Sequence, residues 1–192
     1  MSRITPLPVE AWPPEMREVL AAQRPPNPRH PYPARDPARP KGRNVLGLLA
    51  HYPALSTAYH HLIGHVLFAT TLSVRQRELL ILRVAHLRDA AYEWAQHAFL
   101  AGEAGLTPEE VASVRVGGQA EGWAPVERAL LDAVDELIAD ARIGETTYDV
   151  LSAGLDTQQI MDVVFTVGAY ETLAMAMRTF DLELDEDLLA YR

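Results

Sequence analysis

SVRQRELLILRVAHLRDAAYEWAQHAFLAGEAG, residues 73–105, is the stretch on which the reading of the whole chain depends. Ser73 followed three residues later by Gln76 is a capping-box pattern, in which the hydroxyl accepts from a free backbone N–H and the amide side chain reaches back. A helix is therefore expected from Val74 to Leu87. Its apolar residues, Leu79, Leu80, Ile81, Leu82, Val84 and Leu87, point in nearly every direction, the pattern of a helix buried on most sides. Asp89 is a candidate cap for a second helix, running from Ala90 to about Ala104 and rich in alanine, so that neighbours can approach closely. Within these two helices sit three ionisable residues, Glu78, Glu93 and His97. The last two are four residues apart and share a helix face.

A carboxylate in apolar surroundings costs several kcal/mol unless it is paired, hydrogen-bonded or protonated. His97, one turn away, can share a proton with Glu93, and Glu78 can join them if the two helices pack antiparallel. Such clusters often have shifted pKa values, which general acid/base chemistry uses. From the residues alone, an ordinary Glu–His contact on a half-exposed helix face remains the alternative.

The chain has 192 residues, 48% of them hydrophobic, enough for one substantial core. It contains no cysteine, which excludes disulfides, thiolate zinc sites and a cysteine nucleophile. The N-terminus lacks a continuous apolar segment, and no uninterrupted apolar run approaches the length of a membrane span. A cytoplasmic protein without a membrane partner is expected. The net charge of −9 argues against nucleic-acid binding, which depends on neutralising phosphates with Lys and Arg.

Outward from the central pair, a short helix is expected over Glu15 to Gln23, with Met16, Val19 and Leu20 docking on a core. Residues 24–43, RPPNPRHPYPARDPARPKGR, hold seven prolines and six basic residues against one acidic residue. They predict an extended arm on the surface or across a neighbouring subunit, with a disordered linker as the alternative. Asn44 can cap a helix over Val45 to Ala50, and another pattern runs from Pro53 to Thr70. His61 and His65 are one turn apart there, but the local sequence supplies no third metal ligand, and half-exposed histidines explain them more simply.

Downstream, Thr107, Pro108 and Glu110 open a short helix to about Val114. Pro125 opens an amphipathic scaffold helix with the stripe Val126, Ala129, Leu130, Ala133, Val134, Leu137, Ile138 and Ala141. A short helix is expected from Thr146 to Leu155. Asp156 with Gln159 then caps a long one, its stripe running through Ile160, Val163, Val164, Val167, Tyr170, Ala174 and Met177 to about Phe180. Met161, Met175 and Met177 read as core fillers. The tail from Asp181 is acidic and reads as a solvated terminus or as a complement to the basic arm.

No segment reads as a strand. The expected fold is all-α, a single-domain bundle of about eight helices, divided into an N-terminal helix and arm (1–43), a helical domain (44–180) and an acidic tail (181–192). At this point Arg77-Glu78, Tyr92-Glu93-Trp94-Ala95-Gln96-His97, Ala104-Gly105-Leu106-Thr107 and Val167-Gly168 with Met175 and Phe180 carry a resemblance. From about Asn44 to Phe180 the chain resembles the carboxymuconolactone decarboxylase family, whose other branch contains the alkyl hydroperoxidase D thiol peroxidases. In the peroxidase branch the motif is Glu, eleven residues, Cys, two residues, Cys, three residues, His. Here Glu78, Ala90, Glu93 and His97 fall at those positions, so both thiols are missing and a disulfide-cycling peroxidase is chemically impossible.

The resemblance implies a cofactor-free reaction, decarboxylation or isomerisation, on a small carboxylated lactone or similar acid. Under it, His97 is the proton donor or shuttle, Glu93 orients and tunes it, and Glu78 is a second relay member. Arg77 and Arg178 are candidates for holding the substrate carboxylate, with Tyr92 beside them. It also implies a homo-oligomer, trimeric or hexameric. Two alternatives stand beside this reading: a divalent metal held by Glu78, Glu93 and His97, and a non-catalytic binding or assembly protein on the same fold.

Overall fold

The computed structural model describes residues 2–33 and 39–192, so Asp36 and its neighbours in the arm lie outside the described residues. Nine α-helices appear among them, and no strand: α1 (Met16–Ala22), α2 (Arg43–Leu49), α3 (Pro53–Gly64), α4 (Val74–Leu87), α5 (Ala91–Glu103), α6 (Pro108–Val114), α7 (Pro125–Asp140), α8 (Glu145–Gly154) and α9 (Thr157–Thr179). The capping boxes at Ser73, Thr107 and Asp156 form as their sequences predict. The helix expected to reach Thr70 stops at Gly64 and continues as a π-turn, His65–Ala69.

α4 is the axis of the fold. It packs against α5, α7 and α9, and Leu79, Leu80, Ile81 and Leu82 are fully buried. Leu80, Ile81 and Val84 face a core built with Leu130, Val134, Leu151, Val163, Val167 and Tyr170. Leu79, Leu82 and Ala85 face a second core with Trp94, Val114, Trp123 and Leu131. Each buried leucine contributes on the order of 1.5–3 kcal/mol, so the all-round apolar pattern of α4 is what binds the two cores into one unit.

The arginines of α4 tie its neighbours to it. Arg75 bonds Glu110 and Glu127, Arg83 grips Asp135 through both Nε and Nη2, and Arg88 bonds Glu171 of α9. Planar guanidinium groups suit such bidentate bonds, and these fix where α6, α7 and α9 sit.

Several local expectations are corrected. Asp89 does not cap α5: its φ is +50°, outside the extended geometry of an N-cap, and Ala90 holds that position without a side-chain bond. Asn44 lies inside α2, and Gly42, at φ +61°, is its N-cap. Met177 is buried as expected, but Met161, Val164 and Met175 are exposed along with Phe165, because α9 meets α4, α7 and α8 from one side only. Leu20 of α1 is likewise exposed while Met16 and Val19 dock. By length and composition α9 could cross a membrane, yet its buried face is part of the helical core.

The arm folds back over its own chain. The backbone N–H groups of Arg29 and His30 donate to the Phe68 carbonyl at 2.7 and 3.0 Å, and the His30 ring donates to the Leu72 carbonyl at 2.9 Å. The tail is more than a solvated terminus. Leu188 is fully buried beside Tyr92, Ala95 and Met177, and Asp185 accepts from the Asn44 backbone at 3.0 Å and from the Tyr92 hydroxyl at 2.7 Å. Asp187 accepts from the Lys41 backbone at 3.3 Å, so the tail meets the end of the arm through a peptide N–H group.

Candidate active site

Beneath the arm lies a cavity of about 800 Å³. Its roof is arm (His30–Pro33 and Arg39–Gly42), its walls are Tyr59 and His60 of α3, Leu67 and Phe68 of the π-turn, and Tyr170 and Leu173 of α9. Its base holds Arg77 of α4 with Tyr92, Glu93, Gln96 and His97 of α5. A large, partly apolar cavity with a few converging polar groups is the default binding site of a fold.

α4 and α5 do pack against each other and bring Glu78 to His97. Glu78 is 0% exposed. Its Oε2 accepts from Nδ1 of His97 at 2.7 Å, and its Oε1 accepts from Nε and Nη2 of Arg77 at 2.9 and 2.7 Å. Burial pushes the Glu78 carboxyl up, but the charges and hydrogen bonds of His97 and Arg77 outweigh it and hold the group below its ordinary range. Glu78 is thus an ionised carboxylate, and the bond fixes His97 as the Nδ1–H donor. Its Nε2 has no partner among the described residues.

The expected proton sharing between Glu93 and His97 does not form. Glu93 is 1% exposed, and neither carboxyl oxygen has a hydrogen-bond partner among the described residues. The i, i+4 spacing places both residues on one side of α5, but Glu78 approaches from α4 and takes the imidazole proton. Burial first, and the charge of Glu171 second, push the Glu93 carboxyl well above the ordinary glutamate range. It is a neutral acid, able to donate a hydrogen bond. Three residues further on, the Gln96 carbonyl oxygen is also buried without a partner among the described residues.

Arg77 is buried, not a solvent-facing residue of the first turn, and its third nitrogen donates to the Leu67 carbonyl. With all three nitrogens engaged it neutralises Glu78 and anchors the π-turn. Tyr92 lines the cavity, but its hydroxyl serves Asp185. Arg178 is outside the site: it is exposed, bonds the Arg88 carbonyl and faces Asp89 at 3.7 Å, because the end of α9 turns that side chain away from the cavity. Ala90, at the position of the missing first cysteine, is buried beside a smaller hollow with His86, Trp94 and Arg115 rather than in the main cavity.

The metal alternative does not fit the geometry. Among the described residues no three His, Asp or Glu side chains are grouped closely enough to hold an ion, and both oxygens of Glu78 are already engaged. His65 instead bonds Asp162 at 2.7 Å, and His61 is exposed.

Sequence reading missed three members of the site. His60 is buried in α3 and lines the cavity, Tyr59 lines it and donates to the Ala169 carbonyl at 2.7 Å, and Lys41 sits in the roof without a side-chain ion-pair partner among the described residues. In the sequence His60 stands directly before His61. Its place four residues after Ser56, both on the buried face, was the available signal.

The structure is an all-α bundle in which the imidazole of a buried Glu78–His97 pair lines a cavity beneath the N-terminal arm. Residues 53–136 match the model of the carboxymuconolactone decarboxylase family, and through that region the chain is similar to it. No curated protein matches the sequence. Among solved structures, the ligand-free debrominase Bmp8 superposes with a TM-score of 0.75 at 13% identity, over 98% of this chain and 95% of its own. A cysteine-to-alanine variant of Bmp8 in complex with 2,3,4-tribromopyrrole gives 0.73 at 14% identity, over 98% and 94%. A protein of unknown function from Agrobacterium tumefaciens, suggested to be an AhpD antioxidant-defence protein, gives 0.67 at 21% identity, over 72% and 95%. At these identities the likeness is one of fold.

Proposed function

We propose that this chain is a cofactor-free acid/base enzyme acting by decarboxylation or isomerisation on a small carboxylated lactone or a similar conjugated acid. The observation that carries the reading is the buried Arg77–Glu78–His97 chain whose imidazole lines a cavity beside the neutral, unpartnered Glu93. Loss of CO₂ next to a conjugated carbonyl leaves charge on oxygen, which a neutral carboxyl can stabilise by donating a hydrogen bond. Glu93 takes that role in place of tuning His97. His97 acts as the imidazolium: its Nε2–H bond breaks as the proton passes to the carbon, leaving the neutral ring with Nδ1–H on Glu78, which, ionised and backed by Arg77, supports the positive charge before transfer. Among the described residues Lys41, rather than Arg178, is a cation free to meet the substrate carboxylate.

The test is turnover of a panel of carboxylated lactones, followed by CO₂ release and by the change in ultraviolet absorption. His97→Asn is expected to lose about 10²–10⁴-fold in rate, the usual range for a removed acid/base group. Full turnover in that variant would sink the assignment. Thiol peroxidase chemistry is excluded by the absence of cysteine. A cytoplasmic homo-oligomer, trimer or hexamer, belongs to the same reading and is checked by mass in solution.

One observation favours a second reading. The Bmp8 variant that lacks a cysteine is the one in complex with tribromopyrrole, and this chain also lacks cysteine, so a non-catalytic binder of small flat rings is the alternative. It predicts tight binding with the ligand recovered unchanged.

A further inference from the structure

His60 is built like a second copy of His97, on the other side of the cavity and with a different partner behind it. It is 4% exposed and lines the cavity from α3. Its Nδ1 lies 2.8 Å from the Ser56 carbonyl, which can only accept, so Nδ1 carries the proton. Nε2 is then a bare lone pair with no partner among the described residues, and it is not among the atoms sealed from solvent. Where a carboxylate stands behind His97, a neutral carbonyl stands behind His60. Burial holds the His60 ring below the ordinary histidine range, the Ser56 bond opposing it. The other ionisable side chains lining the cavity are His30, Tyr32, Arg39 and Lys41 of the arm, Tyr59 on α3, Arg77 on α4, Tyr92, Glu93, His97 and Glu103 on α5, and Tyr170 on α9.

We propose that His60 is the general base of this site, taking a proton through Nε2 from the substrate carbon next to the carbonyl whose oxygen Glu93 hydrogen-bonds. In that step the substrate C–H bond breaks and an Nε2–H bond forms. The C–H pair becomes the enol double bond, and the carbonyl π pair moves to oxygen under the Glu93 carboxyl proton. Return of the proton to the far end of the conjugated system gives the isomer; return to the same carbon gives hydrogen exchange. No oxidant, reductant or metal is consumed. The substrate class follows from this pair: a carbon acid activated by one carbonyl, too weak for a solvent-exposed imidazole but within reach of a base and a neutral hydrogen-bond donor acting together.

The role rests on the acid/base reading above, and two measurements separate their failures. In protein labelled with nitrogen-15 at histidine, NMR near neutral pH should give a neutral His60 with Nδ1–H and a bare Nε2, assigned by its loss in His60→Asn. A cationic ring or the Nε2–H tautomer overturns the base role without any substrate. Next, a carboxylated butenolide is incubated with the protein in D₂O, and loss of the proton beside the carbonyl is followed. His60→Asn keeps an amide N–H for the Ser56 carbonyl but has no base, and should slow exchange by about 10²-fold or more, and remove the pH dependence of exchange, with an unchanged melting curve. Exchange in His60→Asn equal to wild type overturns His60 alone and leaves the reading standing. No exchange and no CO₂ from wild type overturns both.

Discussion

Two carboxylate–imidazole pairs of the same 2.7 Å length occur among the described residues, and they have different jobs. Glu78–His97 joins α4 to α5, and Asp162–His65 joins α9 to the π-turn after α3. Asp162 also accepts from the Thr70 hydroxyl and from the backbone and hydroxyl of Thr71, and its histidine is 48% exposed. Every bond in that knot ends inside the protein or in solvent, so it is a latch that sets the π-turn carrying Leu67 and Phe68. At Glu78 the histidine instead lines the cavity, and its second nitrogen is left for something else. A buried carboxylate–histidine pair is therefore not a site by composition; the surroundings of the free ring nitrogen decide.

The largest test of this contrast is Glu78→Gln. It leaves the buried Arg77 cation without its counter-charge, and breaking such a pair costs on the order of 3–5 kcal/mol. Urea unfolding should report that loss, and a loss below 1 kcal/mol would mean that Arg77 finds another partner. Glu93→Gln should act in the opposite direction. Its carboxyl is raised, so the folded state holds a proton the unfolded chain gives up, and stability declines as pH rises above about 4.3, the ordinary glutamate value. The advantage of the variant over wild type should therefore grow with pH, approaching about 1.4 kcal/mol per pH unit while one proton is at stake. A pH-independent difference would show that Glu93 is ionised in the fold.

Asp162→Asn comes next, at about 1–3 kcal/mol, the cost of leaving hydrogen-bonding groups of a buried knot unsatisfied. Burial raises Asp162, but its bonds to His65, Thr71 and Thr70 pull it below its ordinary value, as with Glu78. Both contributions are complete above the ordinary carboxylate range and are lost as pH falls through the depressed values. Each single variant should accordingly flatten the acid limb of a melting-temperature profile. The smallest effect is expected from His65→Ala, about 0.2–1 kcal/mol, because that imidazole is half in water. It should leave turnover intact, whereas His97→Asn removes it.

Much of the fold was legible because its signals are local. The capping boxes at Ser73, Thr107 and Asp156, proline at the first position of α7 and the all-round apolar pattern of α4 each follow from contacts within a turn or two of helix. Glu78, Glu93 and His97 were legible as a cluster because ionisable residues amid apolar ones need an explanation. Their pairing was not, since i, i+4 spacing favours the neighbour on the same helix, while the observed bond crosses between two helices. Arg178 was misplaced for a related reason: α9 is long, and nothing local tells which of its faces meets the core. The same blindness made Met161 and Met175 look like core.

An all-α chain centred on α4, a chemistry without thiols and three ionisable groups to be reconciled with burial all follow from the order of residues. Tertiary structure alone decided that Glu78 is charged and Glu93 neutral, for the charge state of a buried carboxyl depends on which donors reach it through space. It also decided that the arm roofs a cavity and that His60 shares it. Those residues lie far apart in the chain, and only packing brings them to one wall.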